Sequence, residues 1–157
     1  MAVETLTATA ILANPPQNGY KRNLKHVPVT VEVSAAASVS SRYTLAYLPS
    51  GARLSGASRL YWDDMATSGA PTLDIGVLGT SFAYDDDVIN DGLDLATVNT
   101  TTGVRVVKDI ANQYKPLWQL AGLTADPDEI WTVKAVIRDA AVIAGGTLSG
   151  EFIYSED

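Results

Sequence analysis

Val27, Val29, Val31 and Val33 alternate with Pro28, Thr30 and Glu32, so four β-branched side chains share one face of a strand. Pro28 lacks a backbone donor and belongs near the strand start or on an edge. Tyr43, Leu45 and Tyr47 alternate next, until the turn-forming Pro49-Ser50-Gly51 stops the run. Leu54, Gly56, Ser58, Leu60 and Trp62 share one parity, and Leu73, Ile75 and Val77 another, with Asp63 to Pro71 as the polar connection. Val104, Val106 and Val107 mark a further short strand. Trp131, Val133, Ala135 and Ile137 then alternate with Thr132, Lys134, Val136 and Arg138. After Gly145-Gly146, Leu148, Phe152 and Tyr154 return along what reads as the partner strand of a closing hairpin, about residues 128 to 154. Short helical turns are expected at Asp85 to Ile89 and at Asp109 to Gln113, where the alternation breaks.

About eight strands separated by turn signals, with no sustained period of 3.6, predict an all-β antiparallel sandwich of jelly-roll-like type. A chain of 157 residues suits one domain that buries roughly 70% of its unfolded surface. It holds no cysteine, which excludes a disulfide framework and thiolate metal sites. The expected division is an N-terminal arm or first strand at 1–26 and one sandwich domain at 27–157. In the arm, Thr5, Thr7 and Thr9 alternate with Leu6, Ala8 and Ala10, an apolar face too weak for a core but suited to another sheet's edge. Asn14-Pro15-Pro16-Gln17-Asn18-Gly19 interrupts it. Tyr20, Lys21, Arg22, Lys25 and His26 then form a basic, aromatic-tipped stretch suited to an acidic partner. An ordinary first strand within the same sandwich is the competing expectation.

Net charge is −7, which argues against general nucleic-acid binding. Residues 1–62 carry six Lys and Arg against two acidic residues, whereas the remainder carries five against sixteen. Such polarity would let the basic part dock, unless folding interleaves the two halves. No apolar run reaches the roughly 18 residues of a membrane helix. The opening has Glu4 and no Lys or Arg before Lys21, so the basic start of a secretory signal is missing. The expectation is a protein made and folded in the cytoplasm, carried out of the cell, if at all, on a larger particle.

The chemistry for catalysis is sparse. His26 is the only histidine and sits beside Lys25 at a strand entrance, a place for a solvated or capping role. No Gly-x-Ser-x-Gly, phosphate-cradling loop or His-Glu-x-x-His occurs. No cofactor is expected. The run Asp85-Asp86-Asp87-Val88-Ile89-Asn90-Asp91-Gly92-Leu93-Asp94 offers Asp85, Asp87, Asp91 and Asp94 as weak candidate ligands for a hard cation. Counted from Asp87, however, Ile89 and Val98 fall where a calcium loop needs oxygen, and a solvated acidic loop is the expectation. Trp131 and Trp118 lie in apolar surroundings, which leaves Trp62, ahead of Asp63-Asp64, as the aromatic placed to face a partner, against core or interface burial, the general expectation for large aromatics.

Tyr43-Thr44-Leu45-Ala46-Tyr47-Leu48-Pro49-Ser50-Gly51-Ala52-Arg53-Leu54, then Leu60-Tyr61-Trp62-Asp63-Asp64 and Thr72-Leu73-Asp74-Ile75-Gly76, resemble a segment of small virion proteins of tailed bacteriophages, the head decoration or cement type. The closing Ala144-Gly145-Gly146-Thr147-Leu148-Ser149-Gly150 is also similar. These stretches make up 29 of the 157 residues. Met1 to Lys25 and the Asp85 loop have no counterpart in the resemblance. What it implies is a β-sandwich bound to the major capsid protein on the outer head surface, often as a homotrimer. A head fibre or neck component is the second expectation. A glycan-binding module using Trp62 is the third.

Overall fold

The computed structural model describes residues 3, 5–7, 24–66, 69–81, 83–113 and 115–156. They form ten strands: β1 (Thr5–Thr7), β2 (Lys25–Val33), β3 (Arg42–Pro49), β4 (Arg53–Leu54), β5 (Arg59–Trp62), β6 (Thr72–Leu78), β7 (Asp85–Asp94), β8 (Asn99–Arg105), β9 (Ile130–Arg138) and β10 (Gly146–Ser155). One short helix, α1 (Leu117–Leu120), and a 3-10 turn at Ile110–Asn112 complete the described elements. The 3-10 turn falls inside the helical turn expected at Asp109 to Gln113.

Two sheets face one another. The first has the order β1-β3-β9-β6-β7, and the second β2-β10-β5-β8, with β4 pairing to the end of β10. All pairings are antiparallel except β1 with β3. Apart from β1 and β4, the chain crosses between the sheets at nearly every connection, so sequence neighbours seldom pair. The expected closing hairpin is therefore corrected. β9 lies between β3 and β6 in the first sheet, whereas β10 lies between β2 and β5 in the second. The Gly145-Gly146 break carries the chain across the sandwich.

The two-residue periodicity accounts for the core. Val29, Val31 and Val33 of β2 and Leu148, Phe152 and Tyr154 of β10 face inward from one sheet. Tyr43, Leu45 and Leu48 of β3, Leu73, Ile75 and Val77 of β6, and Trp131, Val133, Ala135 and Ile137 of β9 face them from the other. Trp131, Tyr43 and Phe152 are wholly buried, and each large apolar side chain removed from water contributes about 1.5–3 kcal/mol.

β7 departs from the expectation of a solvated acidic loop and of a helical turn at Asp85 to Ile89. It pairs with β6 from Val77↔Asp85 to Thr72↔Asp94. The pairing slips between Ile75↔Asn90 and Val77↔Asp85, so the residues between bulge out of the ladder. Gly76 makes that bulge possible. A Cβ at Gly76 would fall on the carbonyl of Asp85 and the backbone of Asp86, which cross the outer face of the sheet there. Beside this crossing Thr44, Asp74 and Val136, although on the outer face, are buried.

Folding also interleaves the basic and acidic parts of the chain. β2, β3 and β5 pair with β10, β9 and β8, and Lys25 pairs with Glu156 at 2.6 Å. The expected docking pole formed by residues 1–62 is not present as a separate face among the described residues.

Candidate interaction surfaces

The acidic run on β7 does not converge on one point. Asp85, Asp86 and Asp87 bring carboxylate oxygens within 4.8 Å of one another. Asp86 is already engaged in an ion pair with Arg138. Asp91 lies farther along the strand, where its carbonyl accepts from Lys108 and its carboxylate stands 3.9 Å from the same ammonium. Asp94 is used locally, accepting from the Ala96 N–H at 2.8 Å and the Thr97 hydroxyl at 2.9 Å. A strand advances about 3.3 Å per residue, so Asp85, Asp87, Asp91 and Asp94 are spread along β7 and do not form one cation site. Burial raises the pKa of Asp85, followed by a hydrogen bond from Asp87.

Behind this run lies a charge network on the outer sheet face. Arg138 Nε donates to Asp74 Oδ2 at 3.3 Å, and Gly92 N–H donates to Asp74 Oδ1 at 2.9 Å. Burial nevertheless prevails and pushes the Asp74 carboxyl up from its ordinary range. Arg42 stacks 5.2 Å from the ring centre of Tyr84, and burial pushes that phenol up to about 12.

Trp62 is not the exposed aromatic expected. It is 3% exposed and belongs to the core. Its indole N–H donates to the carbonyls of Thr97 at 2.9 Å and Asp94 at 3.1 Å. The parity it shares with Leu60 decides its placement, and Asp63 serves the next turn by accepting from Thr147 N–H at 2.9 Å. Of the other residues expected to bind a partner, Tyr20, Lys21 and Arg22 lie outside the described residues. Lys25 is described, half-buried, with its ammonium between Glu156 and the Tyr154 ring at 5.7 Å. His26 is exposed and meets Glu151 at 3.2 Å, a surface pairing rather than a base beside a nucleophile.

A groove of about 650 Å³, not foreseen from the sequence, opens at the end of the sandwich where β3 stops, β9 starts and β10 ends. Pro49, Pro116, Trp118 and Ile130 supply its apolar surface. Asp126, Asp128, Glu129 and Glu156 supply carboxylates, against Arg53 as the one cation in the lining. Ser50 ties the walls together. Its N–H donates to the Glu129 carbonyl at 2.8 Å, and its carbonyl accepts from Trp118 N–H at 3.0 Å. Its hydroxyl donates to Asp126 and accepts from Glu129 N–H at 3.1 Å. The Glu129 carboxylate turns towards Thr80, Ser81 and the Trp131 indole. Hydrogen bonds, that from Thr80 first, hold it below the usual carboxylate range. Asp128, with a left-handed φ of 54°, is exposed. The sequence marked Pro49-Ser50-Gly51 and Asp126-Pro127-Asp128 as turns, but no local pattern says that two turns so far apart in the chain meet.

At the opposite end, Val39, Val98 and Ile143 are exposed. Among the described residues no helix is long and apolar enough to cross a membrane.

No protein-family model and no curated protein matches this chain. Solved structures do. The chain is similar to one in the capsid asymmetric unit of cyanophage Pam1, with a TM-score of 0.59 and 18% identity over 92% of both chains. It is also similar to one in the capsid of Ralstonia phage GP4, with a TM-score of 0.68 and 16% identity over 98% of both chains. At such identities the likeness is one of fold: this all-β sandwich is a fold found, over nearly its whole length, in chains of two phage capsid structures.

Proposed function

We propose that this chain is a non-enzymatic structural protein of a tailed-phage virion, and within that class a decoration protein on the outer surface of the head. The observation that carries the reading is the fold shared over 92% and 98% of the chain with components of two phage capsid structures. A fold alone does not dictate a role, so the site matters too. The described residues contain acidic and apolar surfaces, and the one histidine, His26, meets Glu151 rather than a hydroxyl. The phage-like sequence stretches Tyr43 to Leu54 and Thr72 to Gly76 fall on β3, β4 and β6.

In this reading the partners are the major capsid protein and further copies of the chain, arranged as a homotrimer. A subunit that binds only the assembled lattice stabilises that lattice by its own binding free energy. Contacts to more than one capsomer add avidity. The place of action is the virion surface, after synthesis in the host cytoplasm. A head fibre or neck component is the second virion role. The glycan-binding alternative loses its main feature, because Trp62 is buried.

Electron microscopy of purified particles, with the protein present and with its gene deleted, tests the proposal. Density for hundreds of copies on the head, lost on deletion together with resistance to heat, is the expected result. A few copies at one vertex would instead assign a neck or fibre role, and particles without the protein would overturn the virion reading.

A further inference from the structure

We infer that the groove at the β3, β9 and β10 ends is a self-association site that receives the basic Tyr20-Lys21-Arg22 stretch of a second copy. The inference rests on the reading of the chain as an assembling protein, and adds to it the surface through which copies meet.

Charge complementarity carries the argument. Four carboxylates and one guanidinium line the groove. Asp126 is directed at Ser50, Glu129 at the Thr80-Ser81 turn, and Glu156 at Lys25. Asp128 stands exposed on the rim, available to an incoming cation. The apolar surface beside it is formed by prolines, Ile130, which is 55% exposed, and the half-buried Trp118. Such a surface suits an extended, proline-containing or aromatic segment with a cation at one end, because rings and prolines pack on Trp while Lys or Arg meets carboxylate. A stretch of that composition that does not itself line the groove is Pro15 and Pro16, then Tyr20, Lys21 and Arg22. Its continuation within the same chain, Lys25, pairs with Glu156 at the groove's lip, so the lip accepts a cation. A repeating lattice sets copies side by side, which makes a neighbour's stretch available at high effective concentration.

The test uses the full-length protein in solution and no phage particle, so its failure leaves the virion reading standing. Self-association is followed by light scattering and by the fluorescence of Trp118, since Trp62 and Trp131 are buried. The wild type should associate, and more weakly as salt rises. Lys21→Glu with Arg22→Glu in one variant, and Asp128→Lys in another, should each weaken association by roughly tenfold or more. Mixing the two variants should restore it, because the reversed stretch then meets the reversed groove. Asp128→Asn, which suits the left-handed backbone at φ 54°, gives a second groove variant with its melting temperature as the folding control. A wild type that stays monomeric, or groove variants that associate like the wild type, overturn the inference. So does a mixture that shows no recovery, the outcome expected if each copy's stretch occupies its own groove.

Discussion

Arg138 on β9 donates through Nε to Asp74 on the neighbouring β6 at 3.3 Å, and the Asp74 residue is 7% exposed on the outer side of the sheet. The same guanidinium pairs with Asp86, whose backbone crosses the sheet at Gly76. One cation thus ties three strands together. The arrangement has a pH signature. Asp74 has a pKa raised by burial, with Gly92 N–H and Arg138 opposing in part. The folded state therefore holds its proton more tightly than the unfolded chain does. The contribution to stability is full below the unfolded pKa and is lost as pH rises through the folded value. Compared with Asp74→Asn, the wild type should be relatively more stable at pH 3 than at pH 7. A difference in melting temperature between the two proteins that does not change with pH would show that Asp74 titrates normally.

Gly76→Ala should remove the crossing. The added methyl meets backbone rather than a side chain that can swing away, and overpacking of this kind costs roughly 1–3 kcal/mol or more. Urea denaturation measures it. A loss below about 0.5 kcal/mol would mean that the Asp85–Asp86 backbone yields easily.

Ile137 and Phe152 lie in opposite sheets and are both fully buried. Either one replaced by Ala should cost roughly 2–5 kcal/mol through lost burial and the cavity left behind. Equal, small losses at both positions would contradict their placement in the core.

Trp62→Phe keeps an aromatic ring in the core but removes the N–H that serves the carbonyls of Asp94 and Thr97. Leaving those acceptors without their donor should cost about 1–3 kcal/mol. A neutral substitution would indicate that water replaces the indole at that turn.

How the sequence relates to this structure depends on whether the information is local. The alternation in β2, β6 and β9 was readable because one face of each is buried, and the faces were assigned correctly at Val29, Leu73 and Trp131. Pairing partners were not readable. Gly145-Gly146 between two alternating runs looks the same whether the chain turns back on itself or crosses to the other sheet, and here it crosses. β7 was hidden because it is an edge strand with a bulge, where aspartates are tolerated and Val88 and Ile89 lose strict alternation. Trp62 was misplaced by weighing Asp63-Asp64 above its parity with Leu60. The groove is assembled from segments at residues 49–53, 116–118, 126–130 and 156, and no window of the sequence contains it.

The pairing of β2 with β10 runs from Lys25↔Tyr154 to Val33↔Gly146, so strands from opposite ends of the described chain are neighbours over nine residues. A ladder of such wide sequence separation forms late and slowly, because a loop of more than a hundred residues must close before any of its bonds can form. On the ribosome the second sheet has no centre until β10 has emerged. Until then β2 and β5 present open edges and bare valine, leucine and tryptophan faces to other nascent chains. Production of the protein in a host would therefore be limited less by its final stability than by this interval between synthesis and closure, during which chaperone supply and temperature govern the yield.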